Sequence, residues 1–188
     1  EKQDHRVKIE NLYQKGADIS KMKHAEKKEY GYDNLHGIIC EPVRCTEKIS
    51  NPQILNSPAG ETIVDFGQNM VGGVRLSAEG AGGTEIKLEF SEVLDKEGNY
   101  INNISGFNRE QTDYFILCGE GNEVFETTFT FHGFRYVKVT GYPGKLEPDR
   151  IQGLVVGTDL EETGDFKTSN EKLNQLQSNI KWSQKGNM

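Results

Sequence analysis

The sequence lacks several features that would assign it to a common class. No run of about 18 apolar residues is present, so no membrane-spanning helix is predicted. Basic residues are outnumbered, 22 against 29 acidic ones, which gives a formal net charge of −7. A nucleic-acid-binding protein normally presents a basic face, so neither nucleic acid nor a membrane is expected as a partner. No basic segment followed by an apolar stretch opens the sequence, and no signal peptide is expected from these residues.

Cysteine is also scarce. The three residues Cys40, Cys45 and Cys118 are odd in number and too sparse for a disulfide framework. The four histidines are scattered and form none of the paired spacings of a zinc site. We therefore expect reduced thiols, no metal and no cofactor, with a calcium ion held by Asp, Asn and carbonyl oxygens as the alternative. Unpaired thiols favour a cytoplasmic location, and a secreted parent protein is the alternative.

Turn-forming residues and strand-like patterns dominate the centre of the chain. Residues 84–90 alternate between apolar and charged side chains, as a half-buried strand does. Phe125, Phe129 and Phe131 have the same parity, which predicts a further strand with the three rings on one face. About eight such strands are separated by Gly, Pro, Asn and Asp clusters, without helices between them. This pattern predicts an all-β fold, an antiparallel β-sandwich or jelly roll.

A helical pattern follows the strands. Thr168 and Glu171 fit a capping box with Thr168 as the N-cap. Apolar residues then recur at helical spacing, which predicts a C-terminal amphipathic helix. We interpret this helix as the start of a further domain, and a helix folded back on the sandwich is the alternative. The residues predicted to form the domain interface are Leu173, Leu176, Ile180 and Trp182.

The composition divides the chain into three regions. Residues 1–40 are charge-dense and poor in large apolar groups, which is typical of a charged linker or the remnant of a preceding domain. Residues 41–165 hold the predicted sandwich. Residues 166–188 hold the predicted helix and begin the further domain.

Five distinctive segments follow one another over about residues 40–188. They are DFGQNMVGG at 65–73, EVLD at 92–95 followed by Gly98, Asn108 and Arg109 with Asp113 and Tyr114 after them, FHGFRYV at 131–137 running into GYPG at 141–144, and NIKWSQKGN at 179–187. As a set, these segments resemble the bacterial α-L-rhamnosidase family of glycoside hydrolases, family 78.

The resemblance implies a fold and a role for the chain. In that family, β-sandwich domains precede an (α/α) barrel that carries the catalytic carboxylates and releases terminal α-L-rhamnose with inversion. The resemblance therefore implies that this chain is a non-catalytic sandwich domain that supports the barrel of the same parent chain, and that residues 166–188 begin that barrel. Inversion needs two carboxyl groups about 6.5–9.5 Å apart, one of them kept protonated. The carboxylates here mostly alternate on strand faces or lie in turns, so we predict no catalytic residue and an inactive fragment.

The FHGFRYV segment supports an alternative function. An arginine and an aromatic ring can hold a sugar through hydrogen bonds and ring stacking. His132, Arg135 and Tyr136 are therefore the candidate site of a carbohydrate-binding module that recognises rhamnosylated glycans. The structural alternative is that Gly133 bends the chain into a central strand and these side chains close the sandwich.

Overall fold

The computed structural model of the protein describes residues 1–7, 14–104 and 110–188. Asn108 and Arg109 of the third segment lie outside the described residues. The elements in the described ranges are β1 (Lys2–Asp4), β2 (Val43–Ile49), β3 (Gln53–Asn56), β4 (Thr62–Glu79), β5 (Glu85–Ser91), β6 (Thr112–Ile116), β7 (Asn122–Glu126), β8 (His132–Thr140), a 3-10 turn (Pro148–Arg150), β9 (Ile151–Thr158) and α1 (Glu171–Lys185). They confirm the predicted β-rich sandwich with a C-terminal helix, built on nine strands rather than about eight. No helix in these ranges has the length and apolar character needed to cross a membrane.

The strands form one curled sheet in the order β1-β6-β5-β8-β4-β9-β2, with β3 and β7 also paired to β4. All described pairings are antiparallel except the one between β1 and β6, which is parallel. β1 comes from the segment 1–40, so the first residues of that segment belong to the sheet. The boundaries predicted at residues 40 and 165 stay predictions.

The 18-residue strand β4 connects the two layers of the sandwich. Its first half lies between β3 and β8, and its second half lies between β7 and β9. Between the halves, Asp65 pairs with Tyr136 and Met70 pairs with Phe134. The four residues 66–69 therefore lie opposite Arg135 alone, and this segment, called the β4 bulge below, leaves the regular ladder.

The core confirms that the apolar residues of β5 share one buried face of the strand. Ile86, Leu88 and Phe90 are all 0% exposed. Phe134 on β8 lies between Phe90 and Phe66, with ring centroids 4.9 and 5.6 Å away in edge-to-face arrangements. Aromatic rings prefer this geometry because the positive edge of one ring meets the negative face of the next. These rings come from the neighbouring strands β5, β8 and β4 and form part of the buried core.

The prediction for the three phenylalanines was wrong in part. Phe125 is buried, but Phe129 and Phe131 are 91% and 71% exposed. The reason is that β7 ends at Glu126, so the residues after it no longer alternate between the two faces of the sheet.

The predicted helix cap was also wrong. The helix begins two residues later than the capping box implies, with Asn170 as the N-cap. The side-chain oxygen of Asn170 accepts a hydrogen bond from the backbone N–H of Lys172 at 3.0 Å. The Thr168 hydroxyl oxygen accepts from the backbone N–H of Asn170 at 3.1 Å and so supports the cap from outside the helix. Asparagine and threonine are both good N-caps, and the sequence alone does not separate them.

The close approach of β4 and β9 leads to a prediction at Gly72. Its φ is +152°, and a Cβ at this position would overlap the carbonyl oxygen of Leu154. Gly72 pairs with Val155 on one side and with His132 on the other, so the backbone has no free direction in which to move. We expect Gly72→Ala to lower the free energy of unfolding by about 3 kcal/mol or more, the sum of backbone strain and overpacking. Urea unfolding measures this value.

Gly37→Ala provides the matched control. Gly37 has open space where a Cβ would lie, and it is exposed. We expect its unfolding free energy to stay within about 0.5 kcal/mol of the parent value. Equal effects of the two substitutions would contradict the close packing of β4 on β9.

Candidate functional site

His132 begins β8 and is buried, with 6% exposed surface. Its ring stacks on Phe90 at a centroid distance of 4.1 Å. Its Nε2 lies 3.1 Å from Asp113 Oδ2, and its Nδ1 lies 2.7 Å from Gln111 Oε1. Both ring nitrogens are therefore engaged by protein oxygens, and His132 joins the start of β8 to the start of β6.

Asp113 is the fully buried partner of His132, at 0% exposure. Its second oxygen, Oδ1, accepts from the amino group of Glu1 at 2.7 Å and from the Thr130 hydroxyl at 3.1 Å. Burial acts to raise the pKa of Asp113, but the hydrogen bonds from His132 and the amino group of Glu1 outweigh it and hold the pKa below its ordinary value. Asp113 is therefore an ionised carboxylate held inside the sandwich.

Arg135 and Tyr136 lie together, away from the interior position of His132. The Arg135 guanidinium donates to Asp65 through Nε at 2.8 Å and through a terminal nitrogen at 2.9 Å, a two-pronged ion pair. Burial acts to raise the pKa of Asp65, but the hydrogen bonds from Arg135 and the Gly67 backbone, together with the charge of Arg135, outweigh it, and the pKa is lowered. The guanidinium carbon also lies 5.0 Å from the centre of the Tyr136 ring. Sugar binding by His132, Arg135 and Tyr136 stays a prediction.

The Asp65–Arg135 pair shapes the β4 bulge. Asp65 Oδ1 also accepts from the backbone N–H of Gly67 at 2.7 Å. Gly67 has a φ of +74°, a conformation that glycine adopts without a steric penalty. The DFGQN motif thus encodes its own anchor and turn, and it presents Gln68 and Asn69 at the surface.

Helix α1 presents two different faces. Leu173, Leu176 and Ile180 are 45%, 53% and 51% exposed, and they form the apolar stripe of the helix. Trp182 lies on another face of the helix and packs partly buried against the sandwich core. The structure therefore separates Trp182 from the three residues with which the sequence analysis grouped it.

A groove separates the β4 bulge from the Trp182 face of α1. It has a volume of about 440 Å³. The residues that line it come from three of the five segments noted in the sequence, and they include Gln68, Asn69, Glu92, Asn179, Trp182 and Asn187. The sequence did not predict this groove. The only signal for it in the sequence was the set of five segments, three of which line the groove.

In the part of the chain that the structure describes, no group of three or more His, Cys, Asp or Glu side chains could hold a metal ion.

The fold and its anchored bulge define a concanavalin-like β-sandwich domain. A family model described as the bacterial alpha-L-rhamnosidase concanavalin-like domain matches residues 55–157. The chain belongs to this family.

The proteins that this chain resembles are much longer than it is. An alpha-L-rhamnosidase of Streptomyces avermitilis is 42% identical over 147 residues, which is 78% of this chain and 14% of that protein. The crystal structure of a native alpha-L-rhamnosidase from Aspergillus terreus superposes with a TM-score of 0.92 at 32% identity, over 99% of this chain and 22% of that one. The Streptomyces avermitilis enzyme complexed with L-rhamnose gives a TM-score of 0.88 at 35% identity, over 100% of this chain and 18% of that one. The chain thus spans less than a quarter of the length of these relatives.

Proposed function

We propose that the chain is a non-catalytic sandwich domain of an α-L-rhamnosidase-like parent, in which it supports the (α/α) barrel that releases terminal α-L-rhamnose from glycosides. Family membership and the small share of each relative that the chain covers support this role. The proposed partner is the barrel of the same parent chain. The proposed location is cytoplasmic, which the free thiols of Cys40, Cys45 and Cys118 support.

The apolar stripe of α1 carries the proposal. The helix is held to the sandwich through Trp182, yet Leu173, Leu176 and Ile180 stay about half exposed. Ile180 faces Leu160, itself 42% exposed, across a second groove between the helix and the segment that follows β9. Contiguous exposed apolar side chains of this kind mark interaction surfaces in soluble proteins. A helical domain that continues from α1 would cover them.

The carboxylates support the non-catalytic part of the proposal. Inversion requires one carboxyl group with a raised pKa, so that it stays protonated. Among the described residues, the carboxyl groups whose pKa departs clearly from its ordinary value all have a lowered pKa, because hydrogen bonds and neighbouring cations outweigh any effect of burial. These groups are Glu1, Asp4, Asp18, Asp65, Glu89, Asp95, Asp113, Glu123 and Glu162.

A paired substitution in two chain lengths tests the proposed interface. In the longer parent chain, L176S/I180S is expected to weaken the contact between sandwich and barrel by about 2 kcal/mol or more per side chain, because both side chains are then buried. The thermal midpoint and the α-L-rhamnosidase activity should fall together. In this 188-residue chain, where both side chains are half exposed, the midpoint should change little.

The exposed polar residue Lys172 of the same helix supplies the control, because Lys172→Ser should leave both chains unchanged. An equal loss of stability in both chains would show that the stripe already packs within this domain. No effect in the parent would show that nothing covers the stripe there. Either result contradicts the proposal, as would hydrolysis of 4-nitrophenyl α-L-rhamnopyranoside by this chain alone.

A further inference from the structure

The groove between the β4 bulge and α1 differs in chemistry from the apolar stripe. Gln68 and Asn69 contribute carboxamides from the bulge, Asn179 and Asn187 contribute carboxamides from α1 and the residues after it, and Glu92 contributes a carboxylate. A carboxamide carries both donors and acceptors, and a carboxylate carries acceptors only. The groove therefore offers both kinds of hydrogen-bonding group within one space.

Glu92 directly follows β5 and lines the groove. Its Oε2 accepts from the Asn103 amide at 3.0 Å, and its Oε1 accepts from the Asn69 amide at 3.3 Å. No lysine, arginine or histidine in the described ranges forms an ion pair with it. A carboxylate has about four acceptor positions, so two amides leave capacity for further donors. Among the described residues, Glu92 is thus oriented by two asparagines and paired with no cation.

Trp182 adds an aromatic wall to the groove. It is half-buried against the sandwich, and Lys185 Nζ lies 5.1 Å from the centre of its ring. An indole supplies a flat apolar surface together with one N–H donor. Its ring packs against the core, and the end of the helix approaches β4 closely, since an added Cβ at Gly186 would come within 3.2 Å of the Val71 side chain.

We propose that this groove is a binding site for a pyranose unit of a glycan. The hydroxyl groups of a pyranose both donate and accept hydrogen bonds, which matches the carboxamides and Glu92, and its C–H face matches the indole. The volume of about 440 Å³ lies within the range of small-ligand sites. This site is independent of His132, Arg135 and Tyr136, and it lies on a different face of α1 from the stripe proposed to contact the barrel.

The single tryptophan of the chain makes a direct test possible. Trp182 fluorescence and the NMR shift of its indole N–H should both respond to L-rhamnose in a saturable way, with a dissociation constant in the millimolar range. Glu92→Gln should weaken this binding about tenfold or more, because it removes an oriented acceptor from the site. Glu97→Gln, an identical change at an exposed position in the following turn, should leave the binding constant unchanged.

Three results would overturn the proposal. The first is no saturable response of Trp182 to L-rhamnose. The second is an equal response to glycerol, a polyol without a ring, which would mark a solvent effect. The third is equal weakening by Glu92→Gln and Glu97→Gln, with unfolding midpoints showing that both variants are folded. None of these results bears on the L176S/I180S experiment, so the two proposals fail independently.

Discussion

Replacing His132 with leucine is expected to lower the free energy of unfolding by about 3 kcal/mol, measured by urea denaturation at neutral pH. The substitution leaves Asp113, at 0% exposure, without the imidazole that lies 3.1 Å from it. Removing a hydrogen-bonding partner of a buried carboxylate is costly because the remaining charge is poorly solvated. The expected value lies at the low end of the usual range because the Thr130 hydroxyl, 3.1 Å from Oδ1, still donates to the carboxylate.

The effect of this substitution should depend on pH. The folded-state pKa of Asp113 is lowered, so the stabilisation from its ionised form is present above its ordinary pKa and is lost as the pH falls through the lowered value. In His132→Leu the bond that lowers the pKa is gone, so the difference from the parent protein should shrink in acid. His36→Leu, at an exposed histidine, should have no effect at any pH. A constant difference across the pH range would contradict an electrostatic role for His132.

Phe134→Ala is expected to cost about 3–5 kcal/mol of unfolding free energy. The ring is 0% exposed and contacts Phe66 and Phe90 edge to face, so its removal leaves a cavity between the two layers. Because Phe134 pairs with Met70 in the β4–β8 ladder, the surrounding strands cannot collapse into the space without shifting that ladder. Chemical denaturation followed by far-UV circular dichroism gives the measurement.

Phe129→Ala is the same substitution outside the core. Phe129 is 91% exposed, and its loss should change the unfolding free energy by less than about 0.5 kcal/mol. Similar values for the two variants would contradict the position of Phe134 at the centre of the sandwich.

The sequence predicted most of the fold because local patterns determine most of it. The alternation in β5 and the apolar spacing in α1 each correspond to an element in the structure. The odd and even positions of residues predicted the wrong environment for Phe129, because this alternation does not show where a strand ends. β1 was missed because three residues are too short for a period to be visible.

The candidate sites were harder to predict because they depend on contacts between distant residues. His132 and Arg135 are close in sequence, but one lies inside against Asp113 and the other lies outside against Asp65. The groove brings together Asn69, Glu92 and Trp182. Asn69 and Glu92 are 23 residues apart, and Trp182 follows much later in the sequence. Their proximity follows from the β4 bulge and the docking of α1, and no local pattern shows that these two segments lie side by side.

The position of β1 has a consequence for aggregation. Strands β1 and β2 are the first two in the chain, yet they occupy opposite edges of the sheet. Unpaired edges promote the addition of strands from other molecules, and proteins block them with short strands or with charged side chains. β1 covers β6 with only three residues, and β2 carries Arg44, Glu47 and Lys48 on its exposed edge. We expect removal of β1 to expose the edge of β6 and to provide a template for intermolecular pairing.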